Sequence, residues 1–259
     1  MQGNGRVRIA IGQLRMRWTT AENVEAILAA MNAAAACDAQ LCVFPELAVT
    51  GFHREIVNLA APEKVAPYLH RIAAECERLE IAVAVGAPTF DGAGRFNSIL
   101  LIDERGRLAA TIHKNGLTPA EATFFRAGAT RESARLRELR CSAVICREVE
   151  DHDHVLRQLP PGSVDLVFWP GHMRPDPEKP VQDPPEHVTR AQEMARSLGA
   201  FIVQSNWPNA LNRPQESAKT GSSAVISAAG ELLFTLPQEA SGVGVFAIGD
   251  RSFEWLPMS

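Results

Sequence analysis

The sequence predicts a mixed α/β domain, and three observations carry that expectation. Short apolar runs rich in Val, Ile and Leu alternate with longer amphipathic stretches. A hairpin pattern interrupts that alternation mid-chain, which calls for antiparallel pairing within the sheet. The chain has 259 residues, 46% hydrophobic and 22% charged, enough to bury a large core without disulfides or a structural metal.

The elements follow in order. Residues 7–11 and 41–44 read as buried strands, and 21–36 between them as an amphipathic helix. A second helix spans 61–79, and a third strand follows at 81–85. The segment FNSILLIDERGRLAATIHK reads as two strands turning at residues 104–106, where Gly106 supplies the turn. Further strands are expected up to Cys146 and at 164–168, 200–205, 222–227, 232–235 and 243–248, with a helix at about 186–198. Residues 170–185 hold six prolines and read as a stiff surface loop near the site. With no repeat, low-complexity tract or linker, one domain over 1–259 is expected.

Composition narrows the function. Lys and Arg total 26 against 30 Asp and Glu, a net charge of −4 that leaves no electrostatic footprint for nucleic acid or an anionic membrane. No run of apolar residues is long enough for a membrane span, and the start lacks the pattern of a secretory signal, so a cytoplasmic protein is expected. Cysteines at 37, 42, 76, 141 and 146 show neither CxxC nor zinc-ribbon spacing. Most sit in apolar runs where cysteine acts as a small hydrophobe, which leaves open whether one does more.

Three ionisable residues close three strand candidates. Glu46 follows LCVFP, Lys114 closes the run at 108–112, and Cys146 follows SAVI. Carboxyl ends of strands in open α/β sheets are where ligands bind, so these residues would share a cleft if their strands are neighbours. Spacing alone leaves Glu46 equally readable as a solvated loop acid and Cys146 as a packed core thiol. The polar stretch 147–154 could begin a helix whose dipole, together with nearby cations, would favour a thiolate at Cys146.

FPELAVTGF around Glu46, HKNGLTPAEATFFRAG around Lys114 and CSAVICRE around Cys146 resemble, in order, the signature segments of the carbon–nitrogen hydrolases, the nitrilase-like superfamily. Glu121, Phe125 and Gly128 fall at matching spacing after Lys114, and RAQEMARSLGAFIVQSN and GSSAVISAAGELL resemble later segments. The likeness runs from about residue 6 to residue 247.

The resemblance implies a four-layer α-β-β-α sandwich with two mixed sheets, usually paired into homodimers, acting on a small amide or nitrile without metal or cofactor. It further implies Cys146 as nucleophile, Glu46 as general base and acid, Lys114 with the backbone N–H of Arg147 as oxyanion donors, and Glu121 as the residue positioning Lys114. Amide cleavage, including that of N-carbamoyl amines, is favoured over nitrile hydrolysis.

The match departs after the cysteine. The family's usual aromatic is Arg147, its acid is Glu148, and a position that often carries a carboxylate-binding arginine is Glu150. If Glu150 lies in a poorly solvated pocket, it should repel carboxylated substrates. Three alternatives stand beside this reading. The run EVEDHDH could bind a metal, although a solvated acidic helix start accounts for it better. Cys146 could pair with His113, His152 or His172, which would leave the Glu46 and Lys114 segments unexplained. A small-molecule-binding protein that keeps the fold but has lost turnover is the non-enzymatic reading.

Overall fold

The computed structural model describes residues 7–92, 94–173, 183–217, 220–249 and 252–258. The first half of the chain supplies strands β1 (Arg8–Gln13), β2 (Leu41–Val43), β3 (Ala82–Asp91), β4 (Gly94–Ile102) and β5 (Leu108–His113). It also supplies helices α1 (Thr20–Ala36), α2 (Ile56–Leu59) and α3 (Pro62–Leu79). The second half supplies β6 (Ala134–Leu136), β7 (Leu139–Ala143), α4 (His152–Gln158), β8 (Leu166–Gly171), α5 (Glu186–Leu198) and β9 (Phe201–Asn206). Four short strands finish the chain, β10 (Ala224–Ile226), β11 (Leu232–Thr235), β12 (Gly242–Ala247) and β13 (Phe253–Pro257).

Two mixed sheets result. The first runs β13-β12-β1-β2-β3-β4-β5 and the second β11-β10-β9-β8-β7-β6. Strands β1, β2 and β3 are parallel, as are β7, β8 and β9, and antiparallel strands flank each trio.

The period of two along each strand explains the layering. Ile9, Ile11, Leu41, Val43, Ala82, Ala84, Leu166 and Phe168 point between the sheets into one apolar core. Their alternates Ala10, Cys42, Val83 and Val85 pack under α1 and α3, while Val167, Trp169 and Ile202 pack under α4 and α5. The molecule is therefore an α-β-β-α sandwich of two mixed sheets with helices outside.

Two departures from the expected elements matter for the site. Strand β3 extends past residue 85 through Gly86 and Pro88 and pairs with β4 along its whole length, although such residues read as turn punctuation. Pro88 is tolerated because its neighbour β2 ends at Val43, so no ladder bond is required on that side. Cys146–Glu150 forms a 3-10 turn, and the α-helix begins only at His152. In the proline-rich segment, Pro170 and Gly171 belong to β8 and residues 174–182 lie outside the described residues.

Candidate active site

Strands β2 and β5 run in the same direction in the first sheet, so Glu46 and Lys114 emerge at one end of it. Strand β4 runs opposite, which brings Asn97 to that end as well, and the Lys114 backbone N–H donates to the Asn97 carbonyl at 2.8 Å. The Lys114 ammonium donates to Glu46 Oε1 at 2.7 Å and to Glu121 Oε1 at 2.6 Å. The Asn97 amide is a second donor to Glu46 Oε1, at 2.7 Å.

Glu46 is 0% exposed and Lys114 1%. This burial excludes the solvated loop acid considered for Glu46, and Glu121, buried in the 3-10 turn Glu121–Thr123, is no surface acid. Burial pushes the Glu46 carboxyl above the usual carboxylate range, with Lys114 opposing and Glu121 adding to the rise. Burial also works against the Lys114 ammonium, but Glu46, Cys146 and Glu121 outweigh it and hold the lysine above its ordinary value. Glu46 Oε2 is buried and has no hydrogen-bond partner among the described residues.

Close packing fixes the backbone at Glu46. A Cβ on Gly86 would lie 2.3 Å from both Leu47 N and Pro45 O, so only glycine lets β3 pass beneath this loop. From the second sheet, the Trp207 indole donates to the Glu46 carbonyl at 2.8 Å.

Cys146 sits three residues past β7 at φ +53, a left-handed conformation that non-glycine residues seldom adopt. The Trp169 indole donates to its carbonyl at 2.9 Å. A Cβ on Gly171 would lie 3.2 Å from Cys146 Cα, so β8 passes close behind the turn. Burial pushes the Cys146 thiol up to about 12, Glu46 adds to the rise, and Lys114 and the His172 backbone amide oppose it. The thiol is thus within electrostatic reach of both Glu46 and Lys114. Its sulfur also lies 3.4 Å from Met173 Sδ.

The acidic run after the cysteine is divided rather than uniformly solvated. Glu148 is 1% exposed and accepts from Arg131, whereas Glu150 is exposed. The Arg147 guanidinium reaches Glu150 at 3.7 Å and Asp151 at 3.4 Å. Glu150 is therefore neither poorly solvated nor uncompensated, and the premise for repelling carboxylated substrates is not met. No group of three or more His, Cys, Asp or Glu suited to a metal occurs among the described residues. His172 lies beside the cysteine through its backbone, and its ring meets Phe52 edge-on at 6.1 Å. His113 is turned to Ser98, its Nδ1 2.8 Å from the hydroxyl, and His152 to Ser197 at 3.1 Å.

Asn97, Arg131, Trp169 and Trp207 were not singled out from sequence. The available signals were an asparagine inside the apolar run FNSILL and indoles that need an acceptor when buried.

The sequence pattern of the family described as carbon-nitrogen hydrolase matches residues 8–252. The chain belongs to that family and is a carbon–nitrogen hydrolase. It is similar in structure to an amidase from Nesterenkonia sp., with a TM-score of 0.81 and 23% identity over 93% of this chain and 90% of that one. A cysteine-to-alanine variant of the amidase from Nesterenkonia sp. AN1 in complex with butyramide gives 0.82 and 23% over 95% and 92%. A glutamate-to-glutamine variant showing Michael addition of acrylamide at its active-site cysteine gives 0.79 and 23% over 92% of each. Likeness at this identity establishes the shared fold. No curated protein matches the chain significantly in sequence.

Proposed function

We propose that the chain is a cysteine-dependent amidohydrolase that cleaves a small amide, or an N-carbamoyl amine, through a thioester on Cys146. One observation carries the reading. Glu46 is a buried carboxylate with one oxygen fixed by Lys114 and Asn97 and the other unpartnered, within electrostatic reach of the Cys146 thiol.

The resting thiol, held near 12, is protonated at neutral pH, so it must lose its proton as it attacks. Glu46 Oε2 takes that proton while sulfur bonds to the carbonyl carbon. The oxygen that gains charge is held by the Lys114 ammonium and the Arg147 backbone N–H, a contact worth about 3–4 kcal/mol. Glu46 returns the proton to the nitrogen as the C–N bond breaks, and ammonia or an amine leaves. Water then attacks the thioester as Glu46 takes its proton, the C–S bond breaks to free the acid, and Glu46 returns the proton to the sulfur. A carboxyl raised by burial suits both directions of this transfer.

Amides are favoured as substrates because the structurally similar proteins are named amidases and are described with butyramide and acrylamide. The reading includes a cytoplasmic homodimer that needs no cofactor. No helix among the described residues is long and apolar enough to cross a membrane.

The test is ammonia release from matched short amides and nitriles. Amides should turn over faster than the nitriles of equal chain length. Exclusive nitrile turnover would make the enzyme a nitrilase, and electrophile trapping of Cys146 without turnover of any amide would favour the silent binding protein.

A further inference from the structure

Glu148 and Arg131 lie outside the proposed chemistry, yet they form a buried ion pair directly between its two halves, 1% and 6% exposed. Each oxygen of the Glu148 carboxylate serves a different loop. Oε1 accepts from the backbone N–H groups of Asn115 at 2.6 Å and Gly116 at 3.0 Å, the two residues that follow Lys114. Oε2 accepts from the N–H of Ile145 at 2.7 Å, the residue that precedes Cys146. Arg131 spans both oxygens, with Nη2 3.0 Å from Oε1 and Nη1 3.1 Å from Oε2, and also donates to the Ala143 carbonyl at the end of β7.

The two loops belong to different sheets, so the relative placement of Lys114 and Cys146 depends on what joins them. We infer that Glu148 and Arg131 are positioning residues, a two-oxygen clamp that sets the Lys114 ammonium against the Cys146 sulfur. The inference rests on the amidohydrolase reading for its effect on turnover. Gly116 fits it, since a Cβ there would lie 3.2 Å from Glu148 Cγ and 2.5 Å from Asp151 Oδ2. The arginine fork fixes the plane of the carboxylate, which a lysine could not do.

The test uses the double variant Arg131→Met/Glu148→Gln, which removes both buried charges together and leaves no lone ion. Glutamine keeps one acceptor oxygen where the clamp needs two. Cooperative thermal unfolding verifies the fold, and kcat, KM and the pH profile of Cys146 alkylation by iodoacetamide are then measured. The expected result is a kcat lower by about 100-fold with KM changed by less than about threefold. Alkylation at neutral pH should slow by about tenfold, because the ammonium would stand farther from the sulfur and favour the thiolate less. A folded double variant whose kcat and alkylation profile both match the wild type would overturn the inference.

If the double variant does not fold, Glu148→Asp keeps the charge for Arg131 but shortens the reach by one methylene. The same losses are expected of it, and wild-type kcat and alkylation would again overturn the clamp. Failure of the underlying reading looks different. Full turnover in Cys146→Ala would end the amidohydrolase account, while the alkylation profile would still report whether the clamp sets the thiol's surroundings.

Discussion

At the residue scale, the site is a set of charges that burial makes costly and pairing makes tolerable. Glu46 and Lys114 would each be unfavourable alone in this interior, and the lysine is held by two carboxylates rather than one. We expect Glu46→Gln and Lys114→Ala each to lower turnover of a short amide by about 100-fold or more. Cys146→Ala should remove it altogether. Cys42 and Cys141 are buried apolar-core thiols, raised by burial, and their alanine variants should keep most activity. Glu150→Gln should change the ranking of neutral, carboxylated and amine-bearing amides by less than about threefold, because the exposed pair it forms with Arg147 is worth little. Steady-state kinetics on purified variants checks all of these.

What the sequence conveyed at this scale was residue type and place in the chain. Glu46, Lys114 and Cys146 stood out because each closes an apolar strand candidate, and Glu121 came from the family resemblance alone. Their burial was not legible, since LCVFPEL fits a solvated acid and a buried one equally well. Glu148 shows the limit from the other side. In a run of acids it reads as solvated surface, and its burial is made tolerable by Arg131, 17 residues earlier in the chain, together with the backbone N–H groups of Asn115, Gly116 and Ile145.

At the scale of elements, glycines and indoles carry the loops that present these residues. Gly86→Ala should cost about 1–3 kcal/mol, because its Cβ would overlap backbone at Pro45 and Leu47 rather than a movable side chain. It should also lower kcat by about 100-fold through displacement of Glu46, which denaturant unfolding and kinetics together would test. Helix α5 offers a pH-dependent probe of its packing. Burial lowers His187 from 6.5 to about 4, against the opposing pull of Glu186, and its ring meets Trp169 edge-on at 5.8 Å. Between those values the unfolded chain takes up a proton that the folded one refuses, so stability falls as pH falls. The slope should approach about 1.4 kcal/mol per pH unit in that window. His187→Gln should flatten the dependence of Tm on pH between about 4 and 6.5, relative to the wild type.

The longer elements were legible because their apolar period is unambiguous, and α5 and β11 fall where the pattern puts them. The short edge strands β6 and β13 were not, since Ala134–Leu136 and Phe253–Pro257 are brief and each carries one exposed charge, Arg135 and Glu254. The extension of β3 was hidden by Gly86 and Pro88, residues the site itself requires or tolerates.

At the scale of the molecule, two sheets packed face to face bring the ends of β2 and β5 from the first half of the chain to the end of β7 from the second. The periodicity of the sequence indicated mixed sheets but not which strands adjoin, because adjacency depends on contacts far apart in the chain. The four layers came from family resemblance, and the observed packing of α1 and α3 on one sheet and α4 and α5 on the other agrees with it. Assembly into a homodimer is expected from the same resemblance. Sedimentation equilibrium at micromolar concentration should return twice the chain's 28.2 kDa, and a monomeric mass would remove the dimer while leaving the chemistry intact.

The proposed hydrolysis of amides passes through a thioester on Cys146. It is tested most directly by quenching the enzyme in acid during turnover of a short aliphatic amide and locating the acyl group by peptide mass mapping. One acyl group per chain is expected on the peptide containing Cys146, with the leaving nitrogen absent from the adduct. Turnover with no acyl group on Cys146 at any quench time, or an acyl group on another residue, would contradict it.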